Sequence, residues 1–381
     1  MTYRIPTAVK TGTIGSLASG DILNHGDFPT WTTNKLLWQQ MQYAICSRVG
    51  SNTACFSQDA TTFGSAGADT NKWCGGVLAP NGSIYGIPFK STVVSKIDPT
   101  TDSFTTFGSF DTVLYAWHGG VLAPNGMIYG IPHNATTILK IDPTTDSTTT
   151  FGNVGTGSYA WYGGVLSLNG MIYGIPNGSG TILKIDPTTD TATTFGAVEA
   201  GTTRWCGGVL APNGCIYGIP YSSAAILKIN PATDTFTTFG SIVGSNKWMG
   251  GTLASNGCIY GISGGISSIL KIDPATDTYT TFGSISGSLY RYEGGVLAPN
   301  GIIYGIPNTN TITLRIDPLT DTATTFGSAI GNGSYSWCGG VLAPNGYIYG
   351  IPYGATTICK IGASIDDTSI DFCLSRYFNK F

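Results

Sequence analysis

Residues Trp117 to Gly152 read WHGGVLAPNGMIYGIPHNATTILKIDPTTDSTTTFG, and this stretch returns with small changes along most of the chain. Its Gly-Gly pair recurs at Gly75/Gly76, Gly119/Gly120, Gly163/Gly164, Gly207/Gly208, Gly250/Gly251, Gly294/Gly295 and Gly339/Gly340, a spacing of 43 to 45 residues. Seven copies at that period indicate a closed array of small sheets, because no single copy can bury its own faces.

Each copy divides into four short β segments. In the quoted one, Gly119 to Ala123 is closed by the turn Pro124-Asn125-Gly126, with Gly at the left-handed position. Ile128 to Ile131 and Thr137 to Ile141 follow, and the turn Asp142 to Asp146 leads into Ser147 to Phe151. The inner segments are nearly continuous apolar runs, as expected for sheets covered on both faces. The fourth is mostly Thr, which favours strands yet tolerates water and so suits an outer edge. Gly-Gly at the head of the first segment suits a crowded centre. The predicted fold class is all-β: a seven-bladed β-propeller of four-stranded antiparallel blades. It spans 60–361, between an N-terminal extension (1–59) and a C-terminal tail (362–381).

The copies also show how the ring closes. A TTFG motif ends at Gly64, before the first Gly-Gly, while the last copy loses its Asp-Pro turn at Gly362-Ala363. Thr61 to Phe63 is therefore expected to supply the outer strand of the seventh blade. The competing segment is Thr368 to Leu374. In the extension, Asn34 to Ile45 places Leu37, Trp38, Met41 and Ile45 on one side at helical spacing, which predicts one short amphipathic helix.

Only 10% of residues are charged and the net charge is −3, so the chain lacks the basic footprint of a nucleic-acid or anionic-membrane partner. Much of that charge belongs to the repeat: Lys96, Lys140, Lys184, Lys228, Lys271, Arg315 and Lys360 share one position, and Asp102, Asp146, Asp190, Asp234, Asp277 and Asp321 another. The first residues hold no apolar run like a signal-peptide core, and no stretch approaches the roughly 20 apolar residues of a membrane helix. The expectation is a protein without membrane insertion that is not exported by that route. On the same ground, formal glycosylation acceptors such as Asn134 and Asn177 are read as chance. Nine cysteines leave at least one free or paired between chains. Most are read as small buried side chains, with Cys46 and Cys55 as the pair to test for a bridge.

Variation between copies concentrates in the fourth-to-first connections (Ser65 to Lys72, Asn153 to Ala160, Ala197 to Arg204) and the second-to-third loops (Phe89 to Val93, Asn177 to Gly180). Both sets emerge on one face, where a binding surface is expected. Beside them stand Trp73, Trp117, Trp161, Trp205, Trp248, Tyr292 and Trp337, each two residues before its Gly-Gly. These rings suit stacking on sugars or anchoring a protein, and they equally suit packing between blades. With His118 and His133 they form the candidate ligand-binding set. The residue after each ring differs in chemistry: Cys74, His118, Tyr162, Cys206, Met249, Glu293 and Cys338. Two His and a Glu near one opening have the chemistry for a divalent metal or acid-base work. No spacing motif supports it, so no catalytic residue, metal or cofactor is assigned.

The pattern GGVLAPNGxIYGIP followed by ILKIDPTTD resembles the blades of virginiamycin B lyase-like and NHL-type propellers over about Ala60 to Ile361. The lyase resemblance implies His and Glu side chains with a magnesium ion on one face. Here His25, His118, His133, Glu199 and Glu293 do not form a matching set, which argues against that activity. The NHL-type resemblance implies a binding platform.

The expected function is a non-enzymatic binding or display module, similar to viral or phage structural proteins that recognise a host-surface glycan or protein. The N-terminal segment would join it to other virion proteins or to copies of itself. The expected location is a virion or other extracellular assembly, or the cytoplasm. The alternatives are a metal-dependent lyase or hydrolase at the channel mouth and a purely architectural assembly protein.

Overall fold

The structure is a computed structural model that describes residues 59–362, apart from 112–113, 156–157, 200, 202, 288, 328 and 332. The predicted helix at Asn34 to Ile45, the Cys46 and Cys55 pair and the segment Thr368 to Leu374 lie outside the described residues. Among those described there are 28 strands in seven four-stranded antiparallel sheets. Blade one comprises Trp73–Leu78, Ile84–Pro88, Val94–Asp98 and Ser103–Phe107, innermost to outermost. In blade seven, Trp337–Leu342, Ile348–Pro352 and Ile358–Ile361 take their outer partner from the start of the chain. Ala60 opposes Ile361 and Phe63 opposes Ile358, which is the expected closure by the N-terminal segment.

The first strand of each blade starts two residues earlier than the sequence suggests, because the Trp itself pairs. Trp117 opposes Pro132, and one extra residue is accommodated before Gly120 opposes Gly130. At this bulge Gly119 adopts φ 69, a conformation Gly enters without a Cβ clash. The same glycines line the axis. A Cβ on Gly75 would meet the Cα of Gly119 at 2.7 Å, and one on Gly339 would meet the Cα of Gly75 at 3.2 Å. The crowded centre anticipated from Gly-Gly is therefore backbone against backbone.

No blade has a core of its own. Val77, Tyr85 and Ile87 of blade one pack with Trp117, Leu122, Ile128 and Leu139 of blade two, and the equivalent cluster repeats at every interface, including blade seven against blade one. Burial of these side chains at about 25 cal/mol per Å² is what holds the sheets radially. On the turn face a polar latch crosses six of the seven interfaces. Tyr129 OH donates to Asp190 at 2.8 Å, Lys140 pairs with the same carboxylate at 2.5 Å, and Asn125 donates to Pro187 O at 2.7 Å. Asp190 sits at φ 51, a left-handed conformation that Asp tolerates. Equivalent latches use Asp102, Asp146, Asp234, Asp277 and Asp321. Between blades six and seven there is none among the described residues. The Asp-Pro turn that would supply the carboxylate is lost where blade seven accepts the N-terminal strand, and Arg315 pairs instead with Asp317 of its own blade at 3.7 Å.

Burial opposes ionisation of Asp190, but the bonds from Lys140 and Tyr129 outweigh it and hold the carboxyl below its ordinary value, as Lys184 and Tyr173 do for Asp234. Such groups stabilise the fold above the unfolded-state carboxyl pKa of about 4, and the contribution is lost as pH falls through the lower folded value. Resistance to denaturant should therefore fall on acidification from about pH 5 to pH 2. Asp190→Asn, which keeps the turn, should cost about 1 kcal/mol at neutral pH and little at the acid end. At the equivalent of Ile138, Thr313 is fully buried with its hydroxyl unpartnered. The isosteric Thr313→Val should raise stability by about 1–2 kcal/mol, read as a higher denaturant midpoint at unchanged slope.

Candidate functional site

The variable loops do share one face. The amide preceding each ring residue donates to the second-to-third loop of the preceding blade, as Ala116 does to Phe89 O (2.7 Å), Ala160 to His133 O (2.7 Å) and Lys72 to Tyr353 O (2.9 Å). Three concentric sets of side chains result: an axial set after the Trp, a middle set at the start of the second-to-third loop, and a rim set two residues before the Trp.

The assignment of Trp73, Trp117, Trp161, Trp205, Trp248, Tyr292 and Trp337 to a ligand face is corrected by their burial. None is more than 5% exposed. Each indole also donates inward to its own blade, Trp117 to Thr137 O at 2.8 Å and Trp205 to Ala225 O at 2.9 Å. Because these residues are strand members, their rings fill the interface between blades and offer no face for stacking. The Asn177 side chain is likewise buried and donates to Trp205 O at 2.9 Å.

The rim carries what the sequence did not reveal. Asn71, Tyr115, Tyr159, Thr203, Asn246, Tyr290 and Tyr335 all adopt positive φ, between 44 and 62. Asn is at ease there; a tyrosine is not, and its left-handed backbone costs roughly 1–2 kcal/mol. Four of the seven positions nevertheless hold Tyr. Tyr335 is 46% and Tyr159 40% exposed, and the apolar neighbours Leu114 and Leu289 are 55% and 50% exposed. The rings lie close together: Tyr115 stacks on Tyr159 at 6.3 Å, and Tyr290 lies 5.6 Å from Tyr335. Phe89 of the middle set links Tyr115 at 4.8 Å with Tyr353 at 5.7 Å.

At the axis, side chains far apart in sequence meet. The sulfurs of Cys74 and Cys338, His118 Nε2 and a Glu293 oxygen lie within 4.8 Å of one another, and all four residues are buried. Cys74 and Cys338 form a disulfide with Cα atoms 4.9 Å apart, joining blades one and seven. Cys206, Cys215, Cys258 and Cys359 are free, and the sequence analysis does not single out the Cys74–Cys338 pair. His118 Nε2 lies 3.0 Å from the Cys74 sulfur and 3.6 Å from Glu293 Oε1. Tyr162 OH donates to Glu293 Oε1, and Asn308 donates to Oε2 at 2.7 Å. His133 is not part of this set: it is 2% exposed, its Nδ1 meets Trp161 O at 2.9 Å, and its ring centre is 5.5 Å from that of His118. Burial, then His118, push its pKa down to about 3, so the imidazole is neutral. Burial, reinforced by Glu293, pushes the Cys206 thiol and the Tyr162 phenol well up, so neither is ionised at neutral pH. The magnesium implied by the lyase resemblance takes oxygen ligands and retains waters. A closed group of two sulfurs, one imidazole and one carboxylate does not fit it.

Residues 37–204 match the family model described as "Repeat of unknown function (DUF6923)". No curated protein matches the sequence. Among solved structures, a streptogramin B lyase superposes with a TM-score of 0.68 at 16% identity over 80% of this chain and 97% of its own. Virginiamycin B lyase from Staphylococcus aureus does so at 0.69 and 13% identity, over 81% and 100%. Hydrazine synthase from Kuenenia stuttgartiensis gives 0.60 and 12%, over 78% and 97%. At these identities the likeness is one of fold, and it spans unrelated activities. The chain is a seven-bladed β-propeller whose repeats match that family over residues 37–204 and whose structural neighbours include the virginiamycin B lyase propellers.

Proposed function

We propose that this chain is a non-enzymatic binding module that presents its loop-bearing face to a neutral, polar partner, a glycan in the first instance. The observation that carries the reading is the rim: tyrosines held in a costly left-handed backbone and partly exposed, in loops of Ser, Thr, Asn and Gly. Strain of this kind gathers where a side chain is needed in one orientation. Tyr supplies a flat apolar face and a hydroxyl at low entropic cost, while the small polar residues adapt their hydrogen bonds. A low charge density suits an uncharged partner. Host-surface recognition within a virion or phage particle is a narrower form of this reading. It rests on the analogy drawn from the sequence and on an attachment role for residues 1–59.

A metal-dependent lyase or hydrolase would draw on the axial cluster. Its four donors are each less than 9% exposed, which favours a structural role over turnover of a bulky substrate.

Binding of the full-length protein to a glycan array and to candidate host cells tests the proposal. Tyr159→Gly and Tyr335→Gly should each weaken binding by about tenfold or more, the loss expected of a buried aromatic anchor. Relief of the left-handed backbone should leave their stability equal to or about 1 kcal/mol above that of the parent. Binding that tolerates both changes would contradict the proposal, as would binding to neither glycans nor cells.

A further inference from the structure

A disulfide accounts for two of the four donors at the axis and leaves the other two without a purpose. Glu293 is 8% exposed, and its ion-pair partner among the described residues is His118, an imidazole 3.6 Å away. An ionised carboxylate so buried needs a compensating positive charge. His118 turns Nε2 toward the sulfurs and Glu293, while its Nδ1 is buried with no hydrogen-bond partner. Tyr162 and Asn308 fix both carboxylate oxygens, as outer partners commonly orient a metal ligand. The four donors come from blades six, seven, one and two, which are consecutive around the ring, and their ligand atoms lie within 4.8 Å of one another. In a tetrahedral zinc site the bonds are about 2.0–2.3 Å long, placing donors about 3.3–3.8 Å apart, so modest side-chain rotation suffices.

We infer that, with Cys74 and Cys338 in the dithiol state, the propeller axis is a binding site for a thiophilic divalent cation of the Zn2+ class, held by both sulfurs, His118 Nε2 and Glu293. The disulfide is the same pair two electrons more oxidised. A thiol or phosphine reductant supplies two electrons, the S–S bond breaks, and two protons from water complete the thiols. Binding then exchanges each S–H bond for a metal–sulfur bond and releases the protons to solvent. The ion neutralises the buried carboxylate and replaces the disulfide as the tie between blades one and seven. Nothing in this site depends on whether the rim binds a glycan.

The test uses full-length protein, reduced with a phosphine, stripped of metal by a chelator and titrated with Co2+ without oxygen. About one equivalent per chain should produce thiolate-to-cobalt charge-transfer and tetrahedral d–d absorption, and Zn2+ should displace it. Cys338→Ser and His118→Gln should each weaken binding by about tenfold or more. Cys215→Ser, which alters a thiol outside the cluster, should not. Glu293→Gln keeps the size of the side chain and should lower the affinity while circular dichroism stays unchanged. Absence of the charge-transfer band in the reduced protein would overturn the inference and leave a disulfide staple alone. A band of undiminished affinity in Cys338→Ser would overturn it as well, since the thiolates would then belong to other cysteines.

Discussion

The contact between neighbouring blades is the interaction on which everything else in this molecule depends. Each apolar cluster is made from two sheets, so a blade without a neighbour would expose the face that holds it together. The ring must therefore close, and closure needs an outer strand for blade seven. Taking it from Ala60–Phe63 ties the two ends of the domain together but interrupts the Asp-Pro turn that supplies the latch everywhere else. The blade six to seven interface keeps its apolar cluster and the bond from Asn308 to Trp337 O, without a latch among the described residues. The one Arg in the column of latch lysines sits where the opposing carboxylate is missing.

A ring with an axis has a second consequence. Equivalent positions of distant repeats become neighbours at the centre, whatever their separation along the chain. The position after each Trp points there, and because the seven residues at it differ, the axis carries a mixture of chemistry that no single repeat contains. Going outward, His118 of the axial set meets Phe89 and His133 of the middle set, and these meet Tyr115 and Tyr159 of the rim. The turn face is occupied by the latch, which repeats the same residues blade after blade. Structure and variation are thus divided between the two faces of the disc.

Much of the fold was legible because the repeat states its own period. The Gly-Gly pairs, the Pro-Asn-Gly and Asp-Pro turns and the Thr-rich outer segment each have a local physical cause, and the displaced TTFG copy shows how the ring closes. The site was less legible. The sequence pattern starts the strand at Gly119, whereas pairing with Pro132 makes Trp117 a strand member whose ring is buried in the blade interface. Residue type suggested a tryptophan platform, whereas the exposed aromatics are tyrosines whose distinguishing feature is a backbone angle that sequence does not display. His118 and Glu293 are chemically apt, but they lie 175 residues apart without a spacing motif to join them. On a closed ring that separation is no obstacle. Cys74 and Cys338 stand 264 residues apart, so nothing local connected them.

The central claim is that the chain forms one closed ring whose post-Trp side chains converge on its axis. Peptide mapping of the oxidised protein without reduction tests it most directly. The account predicts a linked peptide pair containing Cys74 and Cys338, converted to two separate peptides by a reductant. Oxidised protein in which these cysteines remain unlinked, or in which either is bridged to a different cysteine, would contradict it.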